Sequence, residues 1–526
     1  MNGGCRDCYI ALLRALLGRR SAKSQGNHWA SRRGSVAKTV GQRLGSSRSV
    51  EEVDLSELLI AQDGSRNFAQ LYEMMDPLGS GAFGAVYRAR SLVASEVRAV
   101  KVMPKTDVKQ DFEALATELE VMVRLRHPNI LACYEFFEEK KAICLVMELC
   151  EGGDFSTLSD TKKSDEEVQV LFRDVALGVA YCHSQNVVHR DLKFENCLIA
   201  QGPQRRMAKV IDFGLAAIRR EYHDDEWLDE SLGTKFFVAP EVIDKRSHYG
   251  VKCDAWSFGV MVFIVLTNEH PFAEKAFALP TKRLFVKILT ADLRTAVLDR
   301  KKVGGDARDL LKALLERVAE MRADVDQVLE YKWLKPKTAC DELANGRLTR
   351  EGSRKLVKRM SLMGECSRFQ KVLLMLTAHH ARMADVEKMR LVFMAQDANG
   401  DGQITLDELR QGMLNSCGSS VSMQELHDHF VQADTNGDQS INYMEWLSAT
   451  LEQSTISAED NIQEMFAYMD QDGSGTISKQ ELVEIVGDTE AAQVLEDCDA
   501  SRDGVLDLAE FKDVMLKLGQ MRADSP

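Results

Sequence analysis

The chain has 526 residues, more than the ~250–300 at which a single hydrophobic core stops growing, so two or three domains are expected. Its 45% apolar and 28% charged composition is that of an ordinary soluble or membrane-peripheral globular protein, and no run of ~18 apolar residues offers a membrane span. The net charge of −14 is uneven: residues 1–50 carry ten Lys/Arg against the single acid Asp7, and residues 391–526 carry 27 Asp/Glu against six Lys/Arg. The acidic third favours bound cations, the basic start favours anionic lipid or simple disorder, and no basic patch interleaved with aromatics argues for nucleic acid.

Residues 1–71 open with a short apolar helix pattern, Tyr9 to Leu17, flanked by Arg14, Arg19 and Arg20, followed by a Ser/Arg/Gly-rich stretch. A basic, disordered extension is expected. Residues 72–334 pass from short β-like runs such as Ala142–Met147 to longer helical patterns, which predicts an α+β domain with a small strand-rich part first. Residues 335–390 begin polar and basic and then form an amphipathic helix, with Phe369, Leu373 and Leu376 spaced four and three apart; such a stripe requires a partner. From residue 391 one pattern recurs four times, with acidic loops starting at Asp397, Asp434, Asp470 and Asp499, each after a helix-like apolar segment, so an all-α domain of two paired lobes is expected. The twelve cysteines are scattered through apolar stretches without paired metal spacing beyond Cys5 and Cys8, as in a reducing cytoplasmic setting.

Chemistry first shows at Leu78, Gly79, Ser80, Gly81, Ala82, Phe83, Gly84, Ala85 and Val86, where the glycines let backbone amides approach phosphate. A plain hairpin turn would read the same way. Lys101, in Ala99-Val-Lys101 seventeen residues after Gly84, sits where a strand lysine can reach nucleotide phosphates. Next come His189-Arg-Asp191-Leu-Lys193-Phe-Glu-Asn196, then Asp212-Phe-Gly214, then Ala239-Pro-Glu241. In order and spacing these resemble the protein kinase family, over about residues 72–334. The resemblance implies ATP as phosphoryl donor, Asp191 as acceptor of the substrate hydroxyl proton, Asn196 and Asp212 as Mg²⁺ ligands and Lys193 at the γ-phosphate. It implies Glu118 as the acid paired with Lys101, with Glu120 as rival. It places Met147, Glu148 and Cys150 at an adenine-binding hinge and Asp154 near the ribose. Lys193 marks Ser/Thr rather than Tyr kinases, and Glu195 with Asp154 implies protein substrates with a basic residue upstream of the target Ser/Thr. Arg190 calls for an anion, which Asp224, Asp225, Glu226, Asp229 and Glu230 supply unless they are merely solvated.

The four acidic loops carry oxygen ligands at the spacing of an EF-hand, with glycine at the sixth position for the sharp turn. Loop 1 offers Asp397, Asn399, Asp401, Gln403 and Glu408; loop 3 offers Asp470, Asp472, Ser474, Thr476 and Glu481; loop 4 offers Asp499, Ser501, Asp503, Val505 (through its carbonyl) and Glu510. Loop 2 has Asp434, Asn436, Asp438, Ser440 and Glu445 but puts Gln439 where glycine belongs, which predicts weaker Ca²⁺ binding there.

A kinase, a short junction and four EF-hands together resemble the calcium-dependent protein kinases of plants, ciliates and apicomplexan parasites, over about residues 72–520. The resemblance implies Ca²⁺-controlled kinase activity. Opened lobes lined by Met413, Met423, Met444, Met465, Met469 and Met515 would capture the Phe369/Leu373/Leu376 helix in cis. Leu356-Val-Lys358-Arg-Met-Ser361 resembles a basic-directed substrate segment and is expected to cover the active site without calcium, within an autoinhibitory junction at 335–390. The alternatives are a catalytically inactive calcium-sensing scaffold, opposed by intact Lys101, Asp191 and Asp212, and a calmodulin-dependent kinase, for which four loops in cis make external calmodulin superfluous. The family's myristoylated glycine is replaced by Asn2. Cys5 and Cys8 beside the basic helix could be palmitoylated, and the stretch also resembles a transit peptide. A cytoplasmic protein with weak peripheral membrane contact through its N-terminus is expected.

Overall fold

The computed structural model describes residues 67–81, 84–105, 118–122, 124–160, 164–218, 235–244, 250–335, 350–417 and 423–522. The calls on Tyr9 to Leu17, Cys5, Cys8, Ala82, Phe83 and the acids between Asp224 and Glu230 lie outside these residues. No helix among the described residues is long and apolar enough to cross a membrane.

Five strands form an antiparallel sheet in the order β1-β2-β3-β5-β4: β1 (Tyr72–Gly81), β2 (Gly84–Ser91), β3 (Val97–Pro104), β4 (Cys133–Glu138) and β5 (Ala142–Met147). The turn between β1 and β2 pairs Gly81 with Gly84, and Gly84 lies so close to β3 that an added Cβ would sit 2.1 Å from the Val102 carbonyl oxygen. No other residue fits there. β4 and β5 are buried along nearly their whole length, which explains the continuous apolar sequence of β5.

The larger part that follows is built on α1 (Asp165–Ser184) and α2 (Lys252–Thr267). Ser164 starts α1 by accepting a hydrogen bond from the Glu167 N–H, and three acids fill its first turn, where the helix dipole favours negative charge. α2 is apolar all round because it runs through the core. Two short ribbons complete the cleft: β6 (Val187–Val188) with β9 (Ala217–Ile218), and β7 (Cys197–Gln201) with β8 (Arg206–Val210).

The junction folds as α3 (Arg350–Ser361) and α4 (Arg368–His380). Eight further helices of eight or more residues follow among the described residues: α5 (Met383–Gln396), α6 (Leu406–Cys417), α7 (Met423–Ala433), α8 (Tyr443–Thr450), α9 (Glu459–Met469), α10 (Lys479–Val486), α11 (Asp488–Cys498) and α12 (Leu508–Met521). Each loop ends in a three-residue strand, and these pair two by two: β10 (Gln403–Thr405) with β11 (Ser440–Asn442), and β12 (Thr476–Ser478) with β13 (Val505–Asp507). Ile404 thereby faces Ile441, and Ile477 faces Leu506, giving two lobes of two loops each.

Ser367 and Gln370 cap α4 reciprocally, and the helix packs against α8, α9, α10 and α11 with Phe369, Leu373 and Leu376 fully buried. α3 packs against α6, α7 and α8. Two arginines close this clasp at the C-terminal end of α8. The Arg359 guanidinium donates to the Thr450 carbonyl (3.2 Å), and that of Arg522, just beyond α12, donates to the Ser448 and Ala449 carbonyls (both 3.0 Å). Cations at these orphan carbonyls match the negative end of the helix dipole. Met413, Met444, Met465, Met469 and Met515 are buried as a groove lining should be, whereas Met423 is 52% exposed and is not part of it, because it opens α7 on its outer side.

Candidate active site and cation-binding loops

Strand β3 holds Lys101 in register with Val86 and Leu145, and its ammonium donates to Glu118 at 2.6 Å. Glu118 is 2% exposed and lies in the helical residues 118–122. Of the two acids offered by the sequence, Glu118 is the partner.

The catalytic loop is held from behind by Asp254 of α2. This buried carboxylate accepts from the His189 N–H (2.9 Å), the Arg190 N–H (2.8 Å) and the His183 ring (2.8 Å). Burial alone would raise its pKa, but the His183 bond and the nearby histidines hold it below the usual value. Arg190 adopts a left-handed backbone (φ 67°), and its guanidinium donates to the Leu215 and Ala216 carbonyls, fixing the segment after Asp212-Phe213-Gly214. Asp191 is therefore presented on a rigid support. Lys193 donates to its carboxylate at 2.5 Å, and the Asn196 amide donates to its carbonyl (2.8 Å) and carboxylate (3.2 Å). Phe213 is buried against the His189 ring, and Asp212, with φ 63°, stays exposed. Asp191, Lys193 and Asn196 are thus brought together, with Asp212 in the next loop, linked through the bond from the His189 ring to the Ile211 carbonyl.

Gly79, Ser80 and Gly81 end β1, Gly84, Ala85 and Val86 begin β2, and Leu78 is exposed on the same hairpin. Met147 closes β5 and is buried. Cys150 is half-buried, and Asp154 accepts from the Ser156 N–H at 2.8 Å. Glu195 is exposed beside the catalytic loop. Glu148 brings a surprise. Its N–H donates to the Ala132 carbonyl, and its buried carboxylate accepts from Lys209 of β8 (2.8 Å) and from Arg390 of α5 (3.3 Å). Burial opposes its ionisation, but the two cations outweigh that and lower its pKa. The side chain of Glu148 therefore joins the kinase-like domain to the first EF-hand helix.

The four loops share one hydrogen-bond pattern. In each, the first aspartate accepts from the sixth-position N–H: Asp397 from Gly402, Asp434 from Gln439, Asp470 from Gly475 and Asp499 from Gly504, at 2.9 to 3.0 Å. The twelfth-position glutamates Glu408, Glu445, Glu481 and Glu510 accept from loop backbone at both oxygens, turning the carboxylate inward. Asn399 and Asn436 each donate to the fifth-position acid, Asp401 or Asp438. In loop 3, carboxylate oxygens of Asp470, Asp472 and Glu481 lie within 4.8 Å of one another. Hard oxygens converging in this way fit Ca²⁺. Ser474, Thr476, Ser501, Asp503, Val505, Gln403 and Ser440 occupy the remaining ligand positions of their loops. Burial, with Asp401 beside it, pushes Asp397 up to about 7, and burial does the same to Glu445.

Gln439 does adopt the left-handed conformation, φ 70° against 80°, 84° and 85° for Gly402, Gly475 and Gly504. A second strained position escaped the sequence reading. At the fourth position of the loops, glycines 400, 437 and 473 have φ 72–73°, and loop 4 puts Arg502 there with φ 60°. Ligand spacing alone does not test that position; comparing the four loops side by side would have found it.

Residues 72–334 match the protein kinase domain family, residues 389–414 an EF hand and residues 423–487 an EF-hand domain pair. The chain is 30% identical over 453 residues to Calcium-dependent protein kinase 5 of Plasmodium falciparum, a match covering 83% of this chain and 76% of that protein. It is 30% identical over 465 residues to Calcium-dependent protein kinase 22 of Arabidopsis thaliana, covering 84% and 90%. The chain belongs to the calcium-dependent protein kinase family. Its two-lobed catalytic domain, followed by helical EF-hands, is that of a protein serine/threonine kinase of this family.

Proposed function

We propose that this calcium-dependent kinase transfers the ATP γ-phosphate to Ser/Thr in basic protein segments, and that Ca²⁺ in the EF-hands switches it on by stabilising capture of the junction. The observation that carries the reading is the place of the junction. Leu356, Val357 and Met360 of the substrate-like segment, together with α4, are buried in the EF-hand clasp rather than over the cleft of Asp191. Without Ca²⁺ the clasp opens and the Leu356–Ser361 segment covers the cleft.

In the cleft, Asp191 accepts the substrate proton, Lys193 steadies the γ-phosphate and Lys101, set by Glu118, holds the α/β-phosphates. Asp212 and Asn196 would hold Mg²⁺, which neutralises developing phosphate charge. Backbone of residues 148 and 150 serves adenine, and Asp154 with Glu195 takes the upstream basic residue. Radiolabelled phosphate transfer to a basic Ser peptide should require Ca²⁺ and stop with chelator. Equal rates in both would overturn the switch, and no transfer in either would favour the inactive scaffold.

The Arg390–Glu148 contact favours a second element, in which the docked EF-hands also brace the hinge. Arg390→Ala should then lower the Ca²⁺-stimulated rate severalfold while Lys209 still pairs Glu148. An unchanged rate would leave uncovering of the cleft as the whole mechanism.

Loop strain sets how unevenly the loops fill. A side chain in the left-handed region costs roughly 1–2 kcal/mol, so Gln439→Gly and Arg502→Gly should each tighten their own loop by about 5- to 30-fold. Calorimetric titration of the full chain checks this, and no change in either variant would mean that the unloaded loop already carries the same strain as the loaded one.

A further inference from the structure

The four loops are not placed alike. In loop 1 a Cβ at Gly400 would meet Leu329 at 2.9 Å and Leu177 at 3.1 Å, and one at Gly402 would lie 2.1 Å from the Tyr181 ring. All three neighbours belong to the catalytic domain, and Leu177 and Tyr181 lie on α1. At Gly437, Gly475 and Gly504, the corresponding places in the other loops, a Cβ would meet nothing within 4 Å. The Ser184 hydroxyl at the end of α1 donates to the Asp401 carbonyl at 2.9 Å, a direct bond from the kinase domain to the loop backbone.

The helix leading into loop 1 is docked as well. On α5, the fully buried Glu387 accepts from the Gln204 N–H (2.8 Å) and the Arg205 N–H (3.2 Å) in the turn between β7 and β8, and one turn on Arg390 reaches Glu148. Both ends of this hand are therefore seated on the catalytic domain, the helix on its hinge side and the loop tip on α1.

We infer that the first EF-hand is the docking hand: its Ca²⁺ and its seat on the kinase domain form one coupled equilibrium, and the docked chain holds this ion more tightly than the free hand would. The inference rests on the calcium-switched reading above. Seating the loop under Leu177, Tyr181 and Leu329 sets an apolar cover beside the buried Asp397 and the half-buried Asp401 and Glu408, which is unfavourable for like charges without a cation between them. The loaded loop is therefore the one that docks. By linkage, docking must tighten loop 1 by the same factor that loading favours docking, and the apolar cover also slows release of the ion.

The test mixes the Ca²⁺-loaded full chain with excess fluorescent chelator and follows Ca²⁺ release. A slow phase is expected that Glu408→Gln removes and Glu481→Gln does not. Two distant changes that loosen docking, Glu387→Gln on α5 and Ser184→Trp at the end of α1, should each speed that phase by about tenfold or more. Agreement of the two guards against one variant misfolding, and far-ultraviolet circular dichroism checks each. A slow phase that belongs to another loop, or that neither variant speeds, overturns the coupling while Ca²⁺-stimulated transfer by the unaltered chain stands. Loss of that stimulation in the unaltered chain would instead overturn the calcium-switch reading on which the inference depends.

Discussion

Asp191→Ala is expected to lower phosphate transfer by about 10²- to 10⁴-fold, the usual worth of a positioned general base, with the fold retained. The retention follows from how the loop is held. Its backbone is fixed by Asp254 through the His189 and Arg190 N–H groups, and the Asn196 amide keeps its bond to the residue 191 carbonyl whatever the side chain. What is lost is the acceptor for the hydroxyl proton and the partner of Lys193. Radiolabelled transfer at saturating Ca²⁺, with a thermal scan beside it, separates the two. A variant that keeps transfer within about threefold would remove Asp191 from the base role.

The largest effect on stability is expected from Arg322→Ala, a loss of about 3–5 kcal/mol in the catalytic domain. Arg322 is 1% exposed and makes paired bonds to Glu241, at 2.6 and 2.9 Å. It also donates to the Glu316 and Lys252 carbonyls (both 2.8 Å), and its guanidinium lies 5.0 Å from the Trp256 ring centre. Cutting it away leaves Glu241 as a buried carboxylate without a cation. Arg322→Lys should recover little, because an ammonium cannot reproduce the fork. Chemical denaturation monitored at the tryptophans is the measurement, and a midpoint for Arg322→Ala close to that of the unaltered chain would mean water reaches Glu241 easily.

The grouping of Asp191, Lys193 and Asn196 in one loop, and of the oxygens in each acidic loop, was legible in the sequence because each set lies in a short motif whose spacing is set by local backbone. The Lys101 partner was narrowed to two acids by helical position and decided by the observed ion pair. The docking contacts were not legible. Arg98 of β3 pairs with Glu464 of α9, and its guanidinium also donates to the His380 carbonyl at 3.0 Å. These partners lie hundreds of positions apart, and no periodicity links them. Glu387 and Arg390 likewise share their helix with the exposed Lys388 and the half-buried Asp385, and nothing local singles out the two charges that are buried and paired. Met423 was placed in the groove on composition alone, and only the packing of α7 shows that it points elsewhere.

The arginine pair that closes the clasp has a bearing on the order in which the protein is made. Arg522 comes long after the catalytic domain in the chain, yet it caps the α8 carbonyls beside Arg359 of the junction. Domains fold as units from the N-terminal end during synthesis. By that rule the catalytic domain folds before the clasp around the junction can close, because the clasp needs α12 and the Arg522 that follows it.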